Sequence, residues 1–189
     1  MENLPSHIQH VLDQVTEFAD RAHGEQTRKY TPDRYIVHPI RVMKMLCEYT
    51  SDISMLAAAL LHDVLEDTAV TSDEMSHFLE GIMLSSEVRK TTRLVEELTD
   101  VYVKSAFPHL NRRQRKELEV ARISKTSRDA QTIKYADIID NCIEIVKYDR
   151  GFAGKFLYEC REILSKATHG DKKLYEKAKL VLNDARTQL

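Results

Sequence analysis

The residues with the most chemistry in the least space lie in Leu60–Thr68, LLHDVLEDT. Read as a continuous helix, this stretch sets His62 and Glu66 at i,i+4 and Asp63 and Asp67 at i,i+4, in two adjacent polar stripes. Around them Leu56, Ala57, Ala59, Leu60, Leu61, Val64 and Leu65 are apolar and are expected in the core. An imidazole and three carboxylates in so oily a segment need a reason, because buried charge is costly unless it is paired or bound to metal. The His62-Asp63 pair offers one nitrogen and one oxygen ligand. Glu66 and Asp67 lie about one turn, roughly 5–6 Å, further along, where carboxylates handle a water rather than the metal. Taken alone, the segment reads equally well as a solvent-facing helix.

Three other places add compatible groups. His38 precedes Pro39, and proline suits a helix start, so Pro39–Tyr49 is predicted as a helix with His38 at or just before its N-cap. An isolated histidine there is more often structural than a ligand. Asp129–Tyr148 is predicted as a helix with an apolar stripe of Ile133, Ala136, Ile139, Ile143 and Val146, interrupted by Asp137, Asp140, Asn141 and Glu144. Asp137 and Asn141 fall on one face at i,i+4. The polar loop Gln26–Val37, broken by Pro32, carries Arg28, Lys29 and Arg34 among Tyr30 and Tyr35. Basic residues between aromatics suit a phosphate or a base, although by itself the loop reads first as solvated surface.

Assembled, His38, His62, Asp63 and Asp137 make a site of two imidazoles and two carboxylates. Without thiolates, structural zinc is disfavoured and a water-carrying Mn²⁺, Fe²⁺ or Zn²⁺ is preferred. Such an ion acidifies water and polarises a phosphoryl oxygen. Glu66 and Asp67 are then the candidates for holding that water or moving its proton.

These elements must be positioned by helices. The apolar face Ile8, Val11, Leu12, Val15, Phe18, Ala19 and Ala22 predicts a first helix over Pro5–Glu25, with Ser6 as its cap and Gly24 near its end. Asp52–Asp67 is predicted as one helix capped by Asp52. Thr71 and Glu74 form a capping box that opens a short helix ending near Gly81. Ser85 or Ser86 starts the next, with Val88, Leu94, Val95 and Leu98 inward. Helices over Asn111–Ser124, Phe152–Ala167 and Asp171–Gln188 follow. Arg112, Arg113, Arg115 and Lys116 crowd the first turns of one of them against its dipole, which suits either an anionic partner or a solvated basic face. No strand reads convincingly, though Tyr35–Val37 is a candidate for a brief extended stretch.

The expected fold class is therefore all-α, a single helical-bundle domain over residues 1–189 with its motif core at about 28–141. Five glycines, four prolines and no tryptophan argue against a turn-rich β fold. A net charge of −2 gives no global attraction to nucleic acid or membrane, so neither is expected as a partner. The first ten residues lack the charged and apolar regions of a signal peptide. No run approaches the ~18 apolar residues of a transmembrane helix. The odd count of three cysteines, without CxxC, fits a reducing, cytoplasmic setting.

The pattern His38 … His62-Asp63 … Asp137 resembles that of the HD-domain metal-dependent phosphohydrolases. RKYTPDRYIVHP, ALLHDVLEDT and IKYADIIDN resemble three consecutive motifs of the alarmone hydrolases, meaning the RelA/SpoT hydrolase domain and its small stand-alone relatives, including the Mesh1-like enzymes. HD followed by ED, with RKY upstream and an AD…N helix downstream, is far more specific than HD alone. The resemblance implies that His38, His62, Asp63 and Asp137 hold the metal and that Glu66 and Asp67 serve the nucleophilic water. It implies further that Arg28 and Lys29 line the purine pocket and that Asn141 lies near the base and ribose. The implied reaction removes the 3′-pyrophosphate of guanosine tetra- or pentaphosphate, usually with Mn²⁺. Where the long bifunctional relatives continue with a Met-Arg-Thr-like run after the asparagine, this chain has Cys142-Ile143-Glu144. That departure leaves open an adenosine alarmone or the 2′-phosphate of NADPH as substrate, with a non-catalytic HD-fold binding protein as the other alternative. These 189 residues are accounted for by one hydrolase domain, so synthesis is not expected of them.

Overall fold

The computed structural model describes residues 4–29 and 31–189, so Tyr30 and the first three residues of the N-terminal stretch lie outside the described residues. The described residues form ten helices. Their one β-type pairing is an isolated antiparallel bridge between Thr27 and Arg34. The chain divides into two compact units, Met1–Thr99 and Asp100–Leu189.

The first unit contains α1 (Ser6–His23), α2 (Val37–Leu46), α3 (Ile53–Leu61), α4 (Val64–Asp67), α5 (Ser72–Glu80) and α6 (Ser85–Leu98). Its centre is α3, ISMLAAALL, apolar on every side and buried from Ser54 to Leu61. A helix without a polar face must be surrounded, and α3 packs against α1, α2 and α6. Full burial of a leucine stabilises by about 1.5–3 kcal/mol, and Leu56, Leu60 and Leu61 are all fully buried. The start of α3 is set by Asp52, whose Oδ1 accepts from the Ser54 amide at 2.9 Å.

Asp52 Oδ2 also meets the Lys90 ammonium at 2.6 Å. Burial works to raise the Asp52 carboxyl, but Lys90 and the Ser54 and Met55 amides outweigh it and hold the group below its ordinary range. A depressed folded value means the contribution is complete above the unfolded carboxylate value and is lost as pH falls through the folded one. Asp52→Asn keeps a capping oxygen and loses the ion pair. Urea unfolding should therefore show the parent ahead by up to ~1 kcal/mol at pH 7, because the pair is a third exposed. The gap should close toward pH 3, and a gap unchanged between those pH values would show that the ion pair does not stabilise the fold.

The sequence places most boundaries within two residues, with four differences. Pro5, not Ser6, is the N-cap of α1, and no side chain caps it. Proline's fixed φ and missing amide suit the boundary, leaving Ser6 as the first helical residue. Helix α2 begins at Val37, so His38 lies inside its first turn, and Tyr35–Val37 is a turn entering a helix rather than an extended stretch. The predicted Asp52–Asp67 helix is broken at His62-Asp63, with Asp63 at φ −98° and ψ −6°. Ile143 is 56% exposed because the buried stripe of its helix continues through Cys142, Ile145 and Val146 instead. Elsewhere the signals hold: Gly24 ends α1 at φ +56°, a conformation that favours glycine, and Thr71 with Glu74 forms the capping box of α5.

The second unit contains α7 (Arg112–Ile123), α8 (Arg128–Tyr148), α9 (Arg150–Lys166) and α10 (Lys172–Thr187). Helix α8 packs on α9 and α10, and α7 packs on α9. Glu119, 2% exposed, accepts from the Val101 and Tyr102 amides at 2.6 and 2.7 Å and from Arg122 at 2.8 Å. A carboxylate so satisfied can be buried without the penalty of an unpaired charge. The turn between α9 and α10 is pinned to α8. Tyr135 donates to the Ala167 carbonyl at 2.6 Å, the Gln131 amide oxygen accepts from the His169 amide at 2.9 Å, and Thr132 Oγ1 accepts from the Asp171 amide at 2.8 Å. Gly170 passes so close that a Cβ there would stand 2.3 Å from the Tyr135 ring. These ties fix α8 from the side opposite the one that carries Asp137 and Asn141.

Candidate functional site

In the first unit the break after α3 makes the site. His62 follows the last turn of α3, where helix carbonyls lack intrahelical amide partners. Its Nδ1 lies 2.9 Å from one of them, the Ala59 oxygen. A carbonyl only accepts, so Nδ1 carries the hydrogen and Nε2 presents its lone pair. Nε2 lies 3.1 Å from Asp63 Oδ2, and His38 Nε2 lies 3.7 Å from the same oxygen. The two imidazoles meet edge to face with centroids 5.2 Å apart, and both are buried, at 1% and 3% exposure. Electron-rich atoms converging in a buried place need a positive centre, a metal ion or a proton, between them. Two imidazole nitrogens and one hard oxygen are the donor set of a Zn²⁺-, Fe²⁺- or Mn²⁺-type ion, so the residues fit a metal.

Asp63 caps nothing in α4, although it stands at the N-cap position. Its carboxylate is engaged instead by Tyr35, whose hydroxyl lies 2.7 Å from Asp63 Oδ2 and 3.0 Å from Asp67 Oδ2. Burial, then the charges of Asp63 and Asp67, hold the Tyr35 phenol far above its usual range, so it remains a donor. Loss of hydration on its inner side, then the charge of Asp63, push the Asp67 carboxyl up, while Tyr35, His23 and His62 act the other way. Asp67 keeps its outer side open, and Glu66 beside it is exposed. Asp67 thus stands at the outer edge of the group formed by buried His38 and His62 and half-buried Asp63, with Glu66 next to it in the chain.

The preceding loop is built against this group. Arg28 places its guanidinium 5.4 Å from the Tyr35 ring centroid, and Lys29 is exposed. Arg34 serves structure instead, bonding Asp20 Oδ1 at 3.0 Å and the Gly24 carbonyl at 3.1 Å.

In the second unit Asp137 is buried on α8 at 6% exposure. Asn141 donates to its Oδ1 at 2.6 Å, and Lys134 stands 2.8 Å from its Oδ2. The i,i+4 pairing of Asp137 with Asn141 is as the sequence places it. The basic first turns of α7 find intramolecular partners: Arg112 is bidentate to Glu159 at 2.8 and 2.7 Å, Arg113 meets Glu117 at 2.8 Å, and Lys116 meets Asp100 at 2.8 Å. Arg115 bonds the Leu110 carbonyl. The charge that opposes the helix dipole is thereby balanced within the chain.

Sequence reasoning named Tyr35 only as an aromatic and did not single out His23, Gln26 or Lys134. For His23 a signal exists. It continues the buried spacing Leu12, Val15, Ala19 of α1, where a histidine is out of place.

The HD domain family pattern matches residues 35–142, more than half of the chain, and the chain belongs to that family. Human guanosine-3′,5′-bis(diphosphate) 3′-pyrophosphohydrolase MESH1 is 40% identical over 134 residues, covering 68% of this chain and 65% of that protein. The guanosine-3′,5′-bis(diphosphate) 3′-pyrophosphohydrolase of Aquifex aeolicus is 32% identical over 174 residues, covering 89% of this chain and 23% of that protein. The chain therefore spans about two thirds of one relative and under a quarter of the other. The fold is shared with the structure of a metazoan ortholog of SpoT that hydrolyzes ppGpp and plays a role in starvation responses, at TM-score 0.77 and 23% identity over 98% of each chain. Among the described residues no helix is long and apolar enough to cross a membrane.

Proposed function

We propose that this chain is a metal-dependent 3′-pyrophosphohydrolase of guanosine tetra- and pentaphosphate, releasing pyrophosphate with GDP or GTP. The observation that carries the reading is the pair of buried histidines His38 and His62 converging on one oxygen of Asp63, with Asp67 joined to that carboxylate through Tyr35. The two pyrophosphohydrolase relatives support the substrate class. The family match runs across both compact units, which supports treating residues 1–189 as one hydrolase domain and Asp137 as the fourth metal ligand. The ion, for which Mn²⁺ is our assignment with Fe²⁺ or Zn²⁺ as alternatives, supplies an acidified water and a polarised phosphoryl oxygen when bound.

In this reading the remaining steps belong to the chain. Glu66 accepts a proton from the attacking water, and Asp67, held by Tyr35, orients that water. Arg28 and Lys29 hold the purine, and Asn141 steadies Asp137 while facing the ribose. A cytoplasmic location is supported by three cysteines that are all free thiols.

The test is a nucleotide panel in Mn²⁺ with product analysis: ppGpp, pppGpp, an adenosine 3′-pyrophosphate and NADPH. Pyrophosphate released from the guanosine substrates sustains the proposal. Release of orthophosphate only, or preference for adenosine or NADPH, moves the chain to one of the alternatives, and no turnover with metal bound makes it a binding protein.

Arg28 gives a narrower check. If it clamps the base alike in ground and transition states, Arg28→Ala raises KM with little change in kcat. The expected rise is roughly tenfold, the equivalent of ~1.4 kcal/mol of stacking. A fall in kcat at constant KM would place Arg28 in the chemistry instead.

A further inference from the structure

The four-residue helix α4 is too short to hold its own shape, yet Asp67 at its end needs a fixed place. The structure ties Asp67 from outside at both its main chain and its side chain, and both ties start at His23. Gln26 Nε2 donates to the Asp67 carbonyl at 2.8 Å. That bond settles the orientation of the Gln26 amide, because a carbonyl cannot donate. Gln26 Oε1 therefore faces His23 Nδ1 at 2.9 Å and accepts its hydrogen. The His23 ring also stacks on Tyr35, with centroids 4.3 Å apart and planes 25° from parallel. Tyr35 in turn reaches Asp67 Oδ2 at 3.0 Å. Gly24, at φ +56°, turns the chain out of α1 so that Gln26 folds back, its amide 3.1 Å from the His23 carbonyl.

His23 is 3% exposed, and its Nε2 is buried with no hydrogen-bond partner among the described residues. A buried acceptor without a partner costs stability. A phenylalanine would fill the same space and stack on Tyr35 without that cost. What only the histidine supplies is the Nδ1 hydrogen for Gln26.

We propose that His23 and Gln26 are positioning residues for the hydrolysis, acting through Asp67: together they fix the α4 turn and hold its carboxylate at the water. The inference rests on the pyrophosphohydrolase reading above, with Asp67 as the residue that orients the water.

The test uses the full chain with Mn²⁺ and ppGpp and compares the parent with His23→Phe, Gln26→Leu, Asp67→Asn and the double variant His23→Phe/Asp67→Asn. His23→Phe and Gln26→Leu should each lower kcat about 10- to 100-fold, the scale of a small misplacement of a reacting group, with KM within twofold. In the Asp67→Asn background the His23→Phe effect should largely vanish, since nothing is left to position. A residue that serves the fold alone would show additive losses and a lowered Tm. Independently of turnover, amide hydrogen exchange at Asp67 and Thr68 should accelerate in both single variants, and imidazole ¹⁵N shifts should show His23 as the Nδ1–H tautomer in the parent. Unchanged kcat, additive losses or unchanged exchange would overturn the proposal. If the parent releases no pyrophosphate while exchange accelerates as expected, the tie stands and the hydrolase reading is what fails.

Discussion

Asp63→Asn should lose metal and turnover together. One oxygen of this side chain stands 3.1 Å from His62 Nε2, 3.7 Å from His38 Nε2 and 2.7 Å from the Tyr35 hydroxyl. It is the single anion among those neighbours and the natural counter-charge for a divalent ion. An amide keeps the shape but not the charge, and it can turn an NH₂ group toward the imidazoles. Metal affinity should fall by at least about 100-fold, the upper end of what loss of a supporting group alone costs. The metal-free variant should fold as well as the parent, because the charge removed is one that pushes against Asp67. Metal per chain after dialysis, turnover and Tm of the metal-free protein are the three measurements. A variant that keeps its metal would remove Asp63 from the ligand set.

Glu66→Gln should separate chemistry from binding. The side chain is exposed and adjoins Asp67 in the chain, and in the proposed reading His38, His62, Asp63 and Asp137 complete a ligand set without it. Glutamine preserves volume and most hydrogen bonds but cannot accept a proton. Loss of a general base costs on the order of 10²–10⁴ in rate. Single-turnover rate should drop in that range while metal stoichiometry and nucleotide Kd stay at parent values. Loss of metal would make Glu66 a ligand. A parent-like rate would leave the proton to Asp67, whose carboxyl burial and the charge of Asp63 hold above its ordinary range.

How much of this was readable in the chain depends on where each signal resides. Caps are local, so Asp52 and Thr71 with Glu74 can be read directly and mark helix starts in the structure, although Ser6 does not. The metal-type residues were legible from their types and from the motifs around them. The break at His62-Asp63 was not. No glycine or proline stands there, and the apolar run continues through Val64 and Leu65. Asp63 departs from ideal α-helical angles, at φ −98° and ψ −6°, while its carboxylate is engaged with Tyr35, distant in sequence, and its neighbour His62, a tertiary cause that periodicity does not carry. For the same reason the i,i+4 stripes of His62 with Glu66 and Asp63 with Asp67 do not lie on one uninterrupted helix. The role of Tyr35 was invisible likewise, since a tyrosine in a polar loop declares nothing about which carboxylates its hydroxyl will find. Ile143 was misplaced by a smaller effect, the drift of a 21-residue helix relative to a fixed stripe.

The oxygen that sets the His62 tautomer belongs to the main chain of Ala59. The constraint is therefore inherited through the place where α3 stops and not through the identity of residue 59. Any side chain that suits the packing there transmits it unaltered, so position 59 is free to drift without touching the imidazole. The vulnerable changes are those that let the helix run on through positions 62 and 63. They would return that carbonyl to the backbone ladder and leave His62 to choose its own tautomer.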